Sequence, residues 1–187
     1  MCSSRGRSSL RPVNRVWKAR ARLGACRGSK ANDLLMLQRD EEAIELKRKV
    51  LQFYESLGDK RLALKEALHL SAMMSANHRY AEAAEFLREK VSEARALLGP
   101  RDKLTLTFRE MRCMNIVWDP EANAAAVRGI LPELEDLCRV TRQVYGATHP
   151  GFLACQNYLK CARGRLAGQP CMTKRGGTYT LIPAVRE

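Results

Sequence analysis

The sequence predicts an all-α protein built from antiparallel helical hairpins, and three observations carry that prediction. Between residues 33 and 163 apolar side chains recur at steps of three and four, the spacing that places them on one face of a helix. Glycine stops at Gly58, Gly99 and Gly146 divide this stretch at separations of 41 and 47 residues. The apolar positions then keep a fixed register to those stops, so the unit between them repeats.

Residues 1–32 are rich in Arg and Ser and lack an apolar period, which makes them a disordered basic leader or an address. Asp33 suits the N-cap of a first helix running to Leu57, where Gly58-Asp59 supplies the stop. The later breaks are Asn77-His78-Arg79, Gly99-Pro100, Asp119-Pro120 and the stretch from Gly146 to Pro150. They leave helices at about 33–57, 61–76, 80–98, 103–117, 125–145 and 151–163. Pro132 is tolerated if it falls in the first turn of the fifth helix and kinks it otherwise. From Gly164 to the end, glycines and prolines come too often for a helix, and residues 164–187 read as an irregular basic tail in which Thr178 to Ile182 suits one short strand.

The register is the stronger argument. In the first long helix Ala43, Leu46, Val50, Phe53 and Leu57 share a face. Forty-one residues on stand Ala84, Leu87, Val91, Ala94 and Leu98, and a further 47 on stand Leu131, Leu134, Cys138, Thr141 and Tyr145. The short helices agree: Ala67, Leu70 and Met73 map to Phe108, Met111 and Met114, then to Cys155, Tyr158 and Cys161. The longer second period reflects six inserted residues, most simply in the turn around Trp118 to Ala124.

Charge is distributed unevenly. The net charge is +13, but residues 1–32 hold +9 and residues 160–187 hold +5, leaving −1 for residues 33–159. A neutral helical core argues against nucleic-acid binding by the repeats themselves. No apolar run reaches the ~18 residues of a membrane span. The seven cysteines form no C-x-x-C pair and several fall on apolar helical positions, so reduced, mostly buried thiols are expected rather than a disulfide framework.

At Arg79-Tyr80-Ala81-Glu82-Ala83-Ala84 with Phe86-Leu87, and again at Tyr145-Gly146-Ala147-Thr148-His149-Pro150 with Phe152-Leu153 and Asn157, the chain resembles tetratricopeptide repeats. It is more closely similar to the kinesin-light-chain type, and Leu98-Gly99-Pro100 with Leu104-Thr105-Leu106-Thr107 fits the same pattern. The resemblance spans residues 40–163 and implies a short right-handed superhelix of about two and a half repeats, in which short helices line a concave groove for an extended peptide. In such repeats an Asn at a set position resembles a clamp for a peptide backbone. The matching positions here are His69, Glu110 and Asn157, and only the last is Asn. Lys65, Arg109, Arg112, Gln156 and Lys160 complete the expected groove, whose positive balance suits an acidic peptide or partner protein. Leu34, Leu35 and Leu37 would sit at an uncapped end open to self-association.

No catalytic, cofactor or metal site is expected. His149 and His78 fall in turns, His69 on a short helix, and none is paired in sequence with a nucleophile. Cys155, Cys161 and Cys171 lack zinc-site spacing. The acids Glu82, Glu85, Glu89 and Glu93 form a solvated helix face with Arg88 and Lys90. The sequence therefore reads as a non-catalytic cytoplasmic scaffold or adaptor. The alternatives are an accessory helical region like the tail of SET-and-MYND methyltransferases, a basic RNA- or membrane-associated protein, and delivery to a mitochondrion or plastid by the leader.

Overall fold

The computed structural model describes residues 40–175 and 178–185, which form six α-helices and one β-hairpin. The leader, Asp33 and the apolar group Leu34, Leu35 and Leu37 lie outside the described residues. The helices are α1 (Asp40–Ser56), α2 (Lys60–Ala76), α3 (Tyr80–Leu98), α4 (Lys103–Trp118), α5 (Ala124–Tyr145) and α6 (Pro150–Leu166), followed by β1 (Cys171–Arg175) and β2 (Thr178–Ile182). None is long and apolar enough to cross a membrane.

The described residues divide into two compact units, one ending at Glu66 and the other starting at Ala67. In the first, Asp40, Glu41 and Glu42 occupy the first turn of α1, where carboxylates oppose the positive end of the helix dipole. Ala43, Ile44, Val50, Leu51 and Tyr54 form its buried stripe, joined by Ala63 and Leu64 of α2. Gly58 takes φ 72°, a left-handed turn that a side chain would strain. Lys47, only 3% exposed, places its ammonium 2.7 Å from Glu66, which satisfies a charge that could not otherwise be buried.

In the second unit, α3 packs on α4, α4 on both α5 and α6, and α5 on α6. The α4–α6 layer centres on Val117, Val127, Leu134, Leu137, Cys155 and Ala162, each buried. Within that unit Ser75 donates to Asn115 at 2.6 Å, and Asn115 donates in turn to Met111 O at 2.8 Å, so both buried polar groups find partners. Every apolar register position predicted above is buried or half-buried, and none is exposed.

Repetition extends to the backbone caps. Gly99 and Gly146 share φ 91°, with N–H groups returning to Arg95 O and Arg142 O. Three residues later Asp102 and His149 cap α4 and α6 in the same extended conformation, each accepting from the N–H two residues on. The insertion is not confined to a loop. Relative to the preceding repeat, α4 ends one residue later, the turn is two residues longer and α5 starts three residues earlier. Pro132 accordingly falls on the ninth residue of α5, past the first turn, on an exposed position where water can satisfy the carbonyl left without a donor.

The segment expected to be irregular is ordered. α6 continues three residues past Arg163, and the predicted strand Thr178–Ile182 finds an antiparallel partner in β1, with Met172 opposite Leu181 and Cys171 opposite Ile182. A hairpin alone is marginal in water, and this one is anchored. Cys161 of α6 and Cys171 of β1 form a disulfide with Cα atoms 5.5 Å apart, which corrects the expectation of reduced thiols at these two positions. Their spacing of ten residues carried no framework signal, since the pairing depends on β1 folding back along α6. Arg165, fully buried, donates to Val117 O at 2.7 Å, Asp119 O at 3.0 Å and Pro183 O at 2.9 Å, while its own carbonyl accepts from Val185 N. One guanidinium thus ties the end of α4 to the segment after β2.

Candidate functional site

The eight residues expected to line a groove separate into distinct environments. Gln156, Asn157 and Lys160 are exposed together on one face of α6. Asn157, Lys160 and Gly164 form one wall of an open cleft of about 250 Å³, and Gln169, Pro170 and Met172 form the other, with the Cys161–Cys171 bridge joining them. Asn157 and Lys160, expected in a groove, are exposed on α6, and the sequence held no sign of the hairpin wall.

Arg109 and Arg112 are not available as expected. Arg109, its side chain 11% exposed, lies against α5, with Nη2 2.8 Å from Asp136 and Nε 3.5 Å from Glu133. Arg112 pairs with the same Glu133, and Arg139 with Asp136. The hydrogen bond from Arg109 holds the Asp136 carboxyl below its ordinary range. These arginines therefore bind their own chain, and the positive field predicted for the groove is neutralised there. The missed signal was the cluster of acids Glu133, Glu135 and Asp136, of which Glu133 and Asp136 stand on the α5 face that meets α4.

Glu110 is also drawn inward. Burial alone pushes its carboxyl up to about 7. A Cβ on Gly151 would stand 3.2 Å from His149 Nδ1, a tight contact that glycine avoids, and 3.9 Å from Glu110 Oε2, which lies at the same junction. His149 uses Nδ1 to accept from Gly151 N at 3.1 Å and stacks on Tyr145 with ring centroids 4.5 Å apart. Lys65 is exposed on α2 within the first unit, and His69 is exposed within the second.

Nucleophilic chemistry finds little support in the thiols. Burial raises the Cys113 thiol well above its ordinary value and pushes Cys155 up to about 12, so both stay protonated near neutrality. His78, with φ 59°, meets Tyr80 Oη at 3.1 Å in the α2–α3 turn. Among the described residues no group of three or more His, Cys, Asp or Glu is arranged to hold a metal ion. Comparison with family models, with curated proteins and with solved structures finds no match to this chain.

Proposed function

We propose that the chain is a non-catalytic protein-interaction module, a scaffold or adaptor whose hairpins stack as a short right-handed superhelix of tetratricopeptide, kinesin-light-chain-like repeats. The partner is a protein or an acidic peptide segment. One observation carries the reading: Asn157, at the repeat position where a backbone-clamping amide is expected, stands exposed on α6 beside the exposed Gln156 and Lys160, and it lines a cleft with Lys160. The matched caps at Gly99/Asp102 and Gly146/His149 support the repeat itself. The experiment is site-specific photocrosslinking of the full chain in its own cells, with the crosslinker at Gln156 and, as a control, at the exposed Glu85 of α3. A discrete protein adduct at Gln156 and none at Glu85 is expected. Equal labelling at both, or none at either, rejects the α6 face.

For location, cytoplasmic residence is the simpler reading. Delivery to a mitochondrion or plastid by residues 1–32 is the alternative, supported by the Arg- and Ser-rich, acid-free composition of that segment. A fluorescent protein fused to residues 1–32 separates them: organellar fluorescence supports an address, and diffuse fluorescence rejects it.

A further inference from the structure

We infer that the cleft between α6 and β1 receives an acidic peptide in extended form, which adds to the free edge of β1 as a third strand while Lys160 pairs with its carboxylates. The inference rests on the interaction-module reading and names where and how the partner binds.

Three observations converge on this surface. The first is an open strand edge. Among the described residues β1 pairs only with β2, so alternate N–H and C=O groups of β1 turn away from its partner strand. β1 is also the strand packed beside α6, and its first residues form the cleft wall opposite Asn157 and Lys160. An incoming strand would bond to β1 on one side and lie within reach of the Asn157 amide and the Lys160 ammonium on the other.

Charge is the second. From residue 137 to residue 186 the chain carries eight Lys/Arg and not one Asp or Glu. Three of those cations are already used, Arg139 on Asp136, Arg163 on Glu135 at 2.7 Å and Arg165 on backbone carbonyls. Lys160 is exposed at the cleft and makes no ion pair among the described residues. A carboxylate brought to the cleft would meet the Lys160 ammonium.

The third is apolar. Met172 and Leu181 face each other across the hairpin and are 56% and 60% exposed, whereas their neighbours Cys171 and Ile182 turn inward. Strand residues alternate sides, so a peptide beside β1 would set one series of side chains next to Met172 and the other toward α6. Apolar residues suit the first series and acidic residues the second. A nucleic acid fits less well, since none of the residues lining the cleft is aromatic and base stacking would have no ring to use.

The test is fluorescence anisotropy with the full-length oxidised chain and labelled ten-residue probes. These are an alternating Glu-Val peptide, its Lys-Val counterpart, the Glu-Val peptide N-methylated at alternate residues, and a single-stranded oligonucleotide of ten nucleotides. The Glu-Val peptide is expected to bind, with at least tenfold loss for Lys160→Glu, for N-methylation and for the Lys-Val peptide. No binding of the Glu-Val peptide, or the same affinity for Lys160→Glu, overturns the proposal. Unchanged affinity after N-methylation overturns strand addition, and oligonucleotide binding that exceeds peptide binding and is lost in Lys160→Glu assigns the surface to nucleic acid instead. A persistent Gln156 crosslink in cells alongside failure of the Glu-Val peptide removes this inference alone and leaves the interaction-module reading standing.

Discussion

The junction before α4 and the junction before α6 have the same backbone and different chemistry. Both end a long helix on a glycine at φ 91° and begin a short one on a residue whose side chain accepts from the N–H two positions on. At the first the acceptor is Asp102, and at the second it is His149. A carboxylate is the stronger cap because it also opposes the helix dipole. The second junction, however, has the half-buried carboxyl of Glu110 beside it, pushed up to about 7 by burial. A neutral acceptor avoids setting two carboxylates around Gly151. Backbone geometry is thus what repeats, while side-chain choice follows the local field.

The comparison is sharpened most by the core. Leu87 and Leu134 occupy the same repeat position and are fully buried. Leu87→Ala and Leu134→Ala should each cost about 2–5 kcal/mol, whereas Glu85→Ala, at an exposed site, should stay within about 0.5 kcal/mol. Urea midpoints that fail to separate the leucine variants from Glu85→Ala would reject the shared register.

Glu110 gives the next effect. Its folded value of about 7 lies above the ordinary value of 4.5, so the native state holds the proton more tightly than the unfolded chain does. The stability contributed by this group is therefore complete below about pH 4.5 and is lost as pH rises through about 7. The loss is on the order of 3 kcal/mol at most. His149 and Tyr145 lie at the same junction. Burial first, and after it nearby negative charge that includes Glu110, raises the hydroxyls of Tyr145 and Tyr158 and the thiol of Cys155. Glu110→Gln should flatten the stability profile between pH 4.5 and 7 and be the more stable form at pH 8. A profile indistinguishable from the parent's would show that Glu110 ionises without cost.

Local periodicity made the helices and their buried faces legible, because three- and four-residue spacing and glycine stops are properties of short segments. Gln156, Asn157 and Lys160, expected in the groove, are exposed on α6. What periodicity missed depended on residues distant in sequence. Arg109 and Arg112 read as groove cations until α5 brings Glu133 and Asp136 against them, 24 and 27 positions beyond Arg109. Arg165 read as one more tail cation, yet it is buried by carbonyls 46 and 48 positions earlier and 18 later. Strand Thr178–Ile182 was visible in its β-branched residues, but its partner Cys171–Arg175 has a composition that pairing alone explains.

The smallest predicted effect tests whether the two caps differ by accident or by their surroundings. Asp102→His should cost about 1 kcal/mol at neutral pH, since it trades a charged acceptor near a helix N-terminus for a neutral one. If cap strength alone mattered, His149→Asp would gain a similar amount. With Glu110 beside it the gain should shrink or reverse, because a second carboxylate raises the cost of ionising either. In the Glu110→Gln background the neighbouring charge is gone, and His149→Asp should become stabilising. The two substitutions are then expected to couple by about 0.5–1 kcal/mol in a double-mutant cycle at pH 8. Coupling that persists unchanged at pH 4, where Glu110 is largely protonated in both states, would assign the effect to packing against Tyr145 rather than to charge.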